Sequence, residues 1–558
     1  MQGTSSLVRW ILGSLTGLAL LAVTVQSQAP APLGEPVSLP VPHPKDVPAK
    51  MDGVLAQLWA VYRTQGPTAA QEFANRHGID DWKDGTVRVV VEVEDASSAS
   101  PDLQGLSSAV EPVTRRIEAL GGTVEAAHDV RIQGRVRVDA LEELARHPSV
   151  RFVRRPRRPF PLVVSEGVGR VGAPRWWNIT PYRGQPVRVA VLDLGFRGAD
   201  RLRGVELPND LITRAFDPAW WNVEPHGTAC AEIVYDMNPG LDRMWLVNFG
   251  TDVEHSLAVD YLIGQRVNVI SYSIGWTNMG AGDGTGPIDE DVKRAVRSGI
   301  AWVAAAGNEA QRHWEGPYSD PDGDRWHNFA PDSEILHFYS PGRVFCADLN
   351  WDDWGPWNGR NYRGSDQDYD LYVWAWDPWY GWWRPFGWWS IGSQTGSEWP
   401  TESICLRAWR GWFGVSVYRY RASRNVKLEL FLWGATDLEH VVPEGSILIP
   451  ADAREAIAVG ATDWSDDALH DYSSRGPTND GRTKPDLTAP SGVASATYGR
   501  FFGTSASTPH VAGAISLVLA KTPYTPDQVR AVLEGRALDL GPRGPDNLYG
   551  RGRLRLTP

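Results

Sequence analysis

Hydrophobic and polar positions change rhythm several times along the chain. Between residues 87 and 153 the spacing predicts strand, helix, strand, strand, helix, strand, at 87–93, 110–120, 123–127, 130–138, 141–147 and 150–153. A small split β-α-β unit is the economical reading. Helical spacing at Leu55, Leu58, Trp59 and Tyr62 precedes it, after a Pro-rich polar leader at 30–48. From 187 onward, β-branched runs at 187–192, 244–249, 267–272 and 300–305 alternate with helical stretches, which predicts a parallel sheet covered on both faces. That rhythm stops after Asn308 and resumes near Ser446, with a strand at 456–459 and helices around 509–520 and 526–534. Inside the gap, alternating segments at 343–349, 370–376, 414–420 and 426–433 predict an antiparallel β module. The expected fold class is therefore α/β, with an N-terminal α+β unit and an inserted antiparallel β module.

Five segments follow from this pattern: 1–29, 30–165, 166–311, 312–445 and 446–558, the third and fifth forming one α/β body around the fourth. In 1–29, Arg9, an apolar run at 10–25 and Ser27-Gln28-Ala29 have the order of an export signal with its cleavage site. An uncleaved anchor is the alternative, although the run scarcely reaches the ~20 residues of a span. No later segment is apolar enough to span a bilayer, so the expectation is a secreted or extracytoplasmic chain with no stable membrane span once the signal is removed. Arg154-Arg155-Pro156-Arg157-Arg158-Pro159 breaks the second segment with charge and proline, as a solvated linker or a processing segment.

Composition narrows the function classes. With 55 basic and 67 acidic residues the net charge is −12, which argues against a nucleic-acid partner. A hydrophobic fraction of 42% and a charged fraction of 22% are those of a globular chain. Three cysteines suit an exported protein with at most one intramolecular disulfide; Cys346 and Cys405 are the natural pair, leaving Cys230 as a free thiol. The predicted β module holds 16 of the 27 tryptophans, either as a platform for a partner surface or as its own core and seam. Asp320-Pro321-Asp322-Gly323-Asp324 has a composition suited to calcium, without the later bidentate Glu of an EF-hand loop; an acidic solvent loop is the simpler account, and the metal ligands remain unknown at this point.

Three segments each place one member of an Asp, His, Ser set beside small residues at a strand end or helix start. Val189 to Leu192 form an apolar strand ending in Asp193, where ligands of open α/β sheets gather. His226-Gly227-Thr228-Ala229-Cys230 lets a helix begin close to another backbone, with Cys230 expected beneath the imidazole. Gly503-Thr504-Ser505-Ala506-Ser507-Thr508-Pro509-His510 opens an apolar helix at Ser505, whose N-terminal N–H groups favour negative charge on a substrate oxygen. A serine hydroxyl is a weak nucleophile until an imidazole takes its proton, and the imidazole needs a carboxylate to hold its tautomer. Ala304-Ala305-Ala306-Gly307-Asn308 adds an amide donor, half of an oxyanion hole with the Ser505 N–H as the other half.

The ordered set Asp193, His226, Asn308 and Ser505 resembles the subtilisin-like serine peptidases, or subtilases. Ser473-Ser474-Arg475-Gly476-Pro477 and Lys484-Pro485-Asp486-Leu487-Thr488-Ala489-Pro490 match the same family. The resemblance covers about 166–311 and 446–558. It implies a subtilisin-like fold and cleavage of peptide bonds through an acyl-enzyme. Ser505 is then nucleophile, His226 general base and acid, Asp193 its orienter and Asn308 the oxyanion donor. Ser273-Ile274-Gly275 and Ala304-Ala305-Ala306-Gly307 match the strands that flank a bound peptide and its first specificity pocket, and their small residues imply room for a large apolar side chain. The N-terminal unit resembles an inhibitory propeptide in position and strand order, so 154–166 is expected to cross the cleft like substrate and to be cut there; a permanent N-terminal domain is the alternative. The inserted module resembles β-sandwich accessory domains of secreted bacterial peptidases. Expected partners are protein or peptide substrates and the chain's own propeptide, with no cofactor in the chemistry and structural calcium as an option. Leu194 departs from the family's hydroxyl residue after the aspartate. It supports a rival reading, a catalytically weak scaffold that binds through its Trp-rich insert, and hydrolysis of esters is a third.

Overall fold

The computed structural model describes residues 50–76, 79, 82, 85–94, 110–156, 160–161, 167–177, 187–241, 243–377, 382–386 and 398–556. The expected signal at 1–29, the leader at 30–48, and 157–159 and 162–166 of the segment expected to cross the cleft lie outside the described residues.

In the N-terminal unit, β1 (Thr86–Val93), β2 (Thr123–His128), β3 (Arg131–Arg137) and β4 (Val150–Arg154) form an antiparallel sheet in the order β2-β3-β1-β4. That is the order a split β-α-β chain adopts when its two crossovers pack on one face. The helix Val110–Ala119 buries Val113 and Ile117 against it. The helix Gly53–Arg76 bends at Gly66, φ 87°, just before Pro67, where the ring excludes a normal helical turn. After a gap, β5 (Phe160–Pro161) pairs antiparallel with a strand of the next unit.

The central body is a seven-stranded parallel sheet. Its strands are β6 (Val189–Asp193), β7 (Asp210–Ala215), β8 (Arg243–Asn248), β9 (Val269–Tyr272), β11 (Ala301–Ala305), β20 (Ile457–Asp463) and β21 (Leu487–Ser491), in the order β21-β20-β11-β9-β6-β8-β7. β6, β9 and β11 are buried throughout, as a sheet covered on both faces requires. From β6 the chain first builds one side of the sheet, the edge strand β7 and then β8 between the two, and then crosses to the other side as β9, β11, β20 and β21. The carboxyl ends of β6 and β9 thus flank the change of side, where α/β sheets place ligands. Short β10 (Ile274–Gly275) follows β9 and carries β5 as its antiparallel neighbour, Ile274 opposite Pro161 and Gly275 opposite Phe160.

Between Asn308 and Ser446 two four-stranded antiparallel sheets interrupt the body. One is ordered β12-β19-β14-β17, from β12 (His313–Pro317), β14 (Val344–Trp351), β17 (Thr401–Arg407) and β19 (Lys427–Trp433). The other is β13-β18-β15-β16, from β13 (Leu336–Pro341), β15 (Asp368–Asp377), β16 (Trp382–Pro385) and β18 (Arg410–Arg421). Phe338, Phe345, Trp351, Tyr369 and Phe413 are buried in one shared cluster. Cys346 stands opposite Cys405 on β14 and β17, and the two are joined by a disulfide that closes 59 residues. Such a loop constrains the unfolded chain by about 4 kcal/mol in the loop-entropy account. Trp314, Trp351, Trp354, Trp399 and Trp433 are buried, whereas Trp409 and Trp412 are exposed. Trp326, Trp357, Trp374, Trp376 and Trp383 are part-buried, so the described tryptophans of this module are divided between its core and its surface.

The N-terminal sheet meets the helix Asp252–Gly264 through buried polar groups. Arg154 ion-pairs Asp252 and donates Nε–H to Glu92 Oε1 at 2.7 Å, Arg131 donates to Ser256 Oγ at 2.8 Å, and Gln133 donates to Glu254 Oε1 at 2.9 Å. Removing one partner of a buried pair leaves the other charge uncompensated. Asp252→Ala, made in the uncut Ser505→Ala chain, is expected to lower stability to urea by about 3–5 kcal/mol. A loss below about 1 kcal/mol, the size of an exposed pair, contradicts this seam.

Candidate active site

Each chemistry-bearing side chain is placed by the end of a buried element. Asp193 is the last residue of β6, and both its carboxylate oxygens lie 2.9 Å from His226 Nδ1. Its Oδ1 also accepts the Leu194 N–H at 2.8 Å, so the backbone supplies a bond at the position where Leu194 lacks a hydroxyl. His226 opens the helix His226–Met237. Gly227 makes this approach feasible, because a Cβ there would stand 2.7 Å from both Asp193 Cβ and the Gly195 carbonyl oxygen. With Nδ1–H given to Asp193, Nε2 carries the lone pair that a general base needs. That nitrogen is buried and has no hydrogen-bond partner among the described residues.

Ser505 is the second residue of the helix Thr504–Leu519 and is buried, as are Asp193 and His226. Its Oγ donates to the Ser273 carbonyl at 3.2 Å, and Ser273 Oγ donates back to the Ser505 carbonyl at 2.8 Å. The hydroxyl therefore rests on the β9–β10 edge. The third packing wall is Cys230, whose Sγ lies 4.0 Å from His226 Nδ1 and 3.6 Å from the Ser505 carbonyl oxygen. Burial raises the Cys230 thiol above its usual range, which keeps it a neutral packing group.

Asn308 follows β11 by three residues. Its Oδ1 accepts from the Thr504 N–H at 2.9 Å and Thr504 Oγ1 at 3.1 Å, which turns the NH2 end of the amide away from Thr504. The loop is held by Ser474, whose Oγ accepts the Glu309 N–H at 3.0 Å and whose N–H donates to the Gly307 carbonyl at 2.9 Å. Farther off, buried Lys484 donates to the carbonyls of Ala453 and Ala456 and to Asp486, which accounts for the Lys484-Pro485-Asp486 run.

Ser273, Ile274 and Gly275 border the cleft on one side and Ala304, Ala305, Ala306 and Gly307 on the other, all buried or nearly so. Leu448, bonded through its N–H to the Ala306 carbonyl at 2.9 Å, stands so close that a Cβ on Gly275 would lie 2.3 Å from its Cδ1 and one on Gly307 would lie 2.8 Å from its Cγ. The two glycines make space for Leu448. Leu448 packs in turn with Ala305, Cys346, Phe431 and Trp433. No sequence motif marks it, because its position depends on how the chain returns from the insert.

Asp320, Asp322 and Asp324 do bring a carboxylate oxygen each within 4.8 Å of one another. Asp320 is already engaged by the Gly323 N–H, Tyr318 and Arg419, and the cluster is largely exposed.

An aspartate on a parallel strand, a histidine and a serine on two helix starts, and an asparagine beside them define a serine-hydrolase class of site. Comparison with known proteins makes the class particular. A sequence profile of the Subtilase family (Peptidase S8) matches residues 395–552. Subtilisin Savinase of Lederbergia lenta is 40% identical over 109 residues, 19% of this chain and 39% of the relative. Subtilisin E of Bacillus subtilis (strain 168) is 40% identical over 108 residues, 19% of this chain and 27% of the relative. An extracellular serine protease of Serratia marcescens is 45% identical over 60 residues, 11% of this chain and 6% of the relative. Among solved structures, the Clostridium perfringens CspB protease aligns with a TM-score of 0.48 at 17% identity, over 70% of this chain and 95% of that one. The matches thus span well under half the length of these three relatives. Residues 395–552 thus match the Subtilase family, and over these stretches the chain is similar to subtilisin-like serine peptidases.

Burial opposes charge on the His226 imidazole, but the adjacent Asp193 carboxylate outweighs it and holds the pKa well above the usual histidine range. A general base works only when neutral, so raising its pKa moves the active fraction to higher pH. Acylation of Ser505 by a fluorophosphonate is expected to accelerate with pH from neutrality into the alkaline range. A rate already at its plateau near the ordinary imidazole value of about 6.5 contradicts the coupling of His226 to Asp193.

Proposed function

We propose that this chain is an exported serine endopeptidase that first cuts its own N-terminal segment. The observation that carries the reading is the Asp193–His226 pair beside Ser505, with β5 lying as an added antiparallel strand on β10 directly after Ser273. Peptides bound to proteases by strand addition take this arrangement, main chain against main chain.

In this reading Ser505 Oγ leaves the Ser273 carbonyl, gives its proton to His226 Nε2 and forms the bond to the scissile carbonyl carbon. The oxygen that gains charge is met by the Asn308 amide N–H and the Ser505 backbone N–H at the start of its helix. His226 then returns the proton to the leaving amine, and a water activated by the same nitrogen releases the acyl group. The chemistry calls for no cofactor. Substrates are proteins or peptides, the first being residues 154–166 of the chain, and the N-terminal unit acts as inhibitor until released. The Cys346–Cys405 disulfide supports an oxidising, extracytoplasmic location, as does the apolar start of the sequence.

A fluorophosphonate probe applied to purified wild-type and Ser505→Ala proteins tests this. Label on the wild type alone, together with a loss of mass from its N-terminus that the variant does not undergo, is the expected result. A folded wild-type protein that takes no label overturns the catalytic reading.

Leu448 adds a preference. With its side chain between Gly275 and Gly307, the first specificity pocket favours small residues on the acyl side of the cut. Leu448→Ala is expected to raise the kcat/KM ratio of a phenylalanyl over an alanyl peptide at that position by about tenfold or more, the worth of a few methylenes in an apolar pocket. An unchanged ratio removes Leu448 from the pocket.

A further inference from the structure

We infer that the root of the inserted module holds a divalent transition-metal site, with zinc as its fitting occupant, on His313, Glu315 and Glu429. The site is independent of the catalytic reading. β12 and β19 pair antiparallel, with Glu315 directly opposite Glu429 and His313 two residues earlier on the same face. Two carboxylates facing each other across a strand pair repel, and the Lys427 ammonium on Glu315 offsets part of that repulsion. One ligand atom from each of the three residues falls within 4.8 Å of the others.

The histidine is set up as a ligand. His313 is fully buried, and its Nδ1 lies 2.6 Å from the Val442 carbonyl, to which it donates. A backbone carbonyl on one ring nitrogen is the usual support of a metal-bound imidazole, and it leaves the lone pair on the other. That other nitrogen, Nε2, points at Glu429 Oε1 from 3.4 Å and forms no hydrogen bond. This contact needs positive charge, which either a second proton on the ring or a bound cation supplies. Ligand atoms bound tetrahedrally at about 2.0–2.1 Å stand roughly 3.3–3.4 Å apart, which is the separation seen, whereas a direct hydrogen bond is shorter.

The surroundings complete the donor set. Glu429 Oε2 accepts from Asn350 Nδ2 at 2.9 Å, which orients the carboxylate and leaves Oε1 toward the histidine. Glu315 is held by Lys427 Nζ at 2.5 Å, and Lys427 also reaches Asn479 Oδ1 at 3.3 Å. The ammonium is part-exposed and has this second partner to move toward when a metal takes its place. Glycine at 445 keeps the far side open, since a Cβ there would lie 2.6 Å from Glu315 Oε2. An imidazole nitrogen with two carboxylates suits zinc, while calcium and magnesium favour oxygen alone. Bound here, the metal would clasp the strands by which the insert leaves and rejoins the catalytic body, five residues after Asn308.

Zinc alone is the probe. The full chain carrying His226→Ala, which removes the imidazole of the other histidine-containing cluster, is stripped of metal and titrated calorimetrically with zinc in excess calcium. Binding of one equivalent is expected, weakened about tenfold or more by Glu315→Gln and by His313→Gln. X-ray absorption of the zinc-loaded parent is expected to show nitrogen and oxygen donors without sulfur. Circular dichroism establishes that each variant is folded; should His313→Gln fail to fold, the part-exposed Glu315→Gln carries the test. Absence of zinc binding, binding unaltered in the folded variants, or sulfur coordination overturns the assignment.

Discussion

Everything at the cleft depends on a buried charge pair standing at the end of a strand. Asp193 and His226 are withdrawn from water, and a carboxylate there is tolerable only because the imidazole N–H and the Leu194 backbone N–H both point at it. That requirement brings the His226 helix hard against β6, which Gly227 permits. The Ser505 helix packs beside it, with Gly513 so close to Met237 that a Cβ would lie 2.3 Å from that side chain. The approach of the two helix starts, the position of Cys230 between them and the orientation of Asn308 through Thr504 are all consequences of satisfying that one pair.

The position of Ser505 shows that assembly and readiness are separate. Its hydroxyl rests on the Ser273 carbonyl while His226 Nε2 waits without a hydrogen bond. Catalytic hydrogen bonds often tighten only when a substrate is seated. The same Ser273 edge receives β5 from the N-terminal unit one residue farther on, so strand addition and release of the serine hydroxyl draw on neighbouring groups.

Much of this was legible in the sequence because the informative residues are local. Asp193 ends an apolar run, His226 and Ser505 begin helices among small residues, and Asn308 follows a glycine after a buried strand; neighbours in the chain are enough to place each of them. The split β-α-β order and the parallel sheet were legible through period-two and 3.6-residue spacing. The edge strand β7 was not, since its residues are mostly part-exposed and polar and lack the apolar run of a covered strand. Leu448 was hidden for a different reason. Whether the gap between Gly275 and Gly307 is room or packing depends on a residue that follows the whole insert. The facing of His313 and Glu429 likewise depends on strand register, which no motif records.

The insert is accommodated because its first and last strands are neighbours. β12 leaves just after Asn308 and β19 returns beside it, with Trp314 opposite Leu430, so the catalytic body meets two adjacent chain ends rather than a span that must be bridged. That economy also ties the module to the cleft. Phe431 and Trp433 of the returning strand, together with Cys346 of the disulfide, form the apolar backing of Leu448, and Trp433 donates to Thr277 just beyond Gly275. A shift of the returning strand would move the backing and with it the side chain between the two glycines. The side chain that stands between Gly275 and Gly307 is therefore held by the packing of the inserted module as much as by the strands around it.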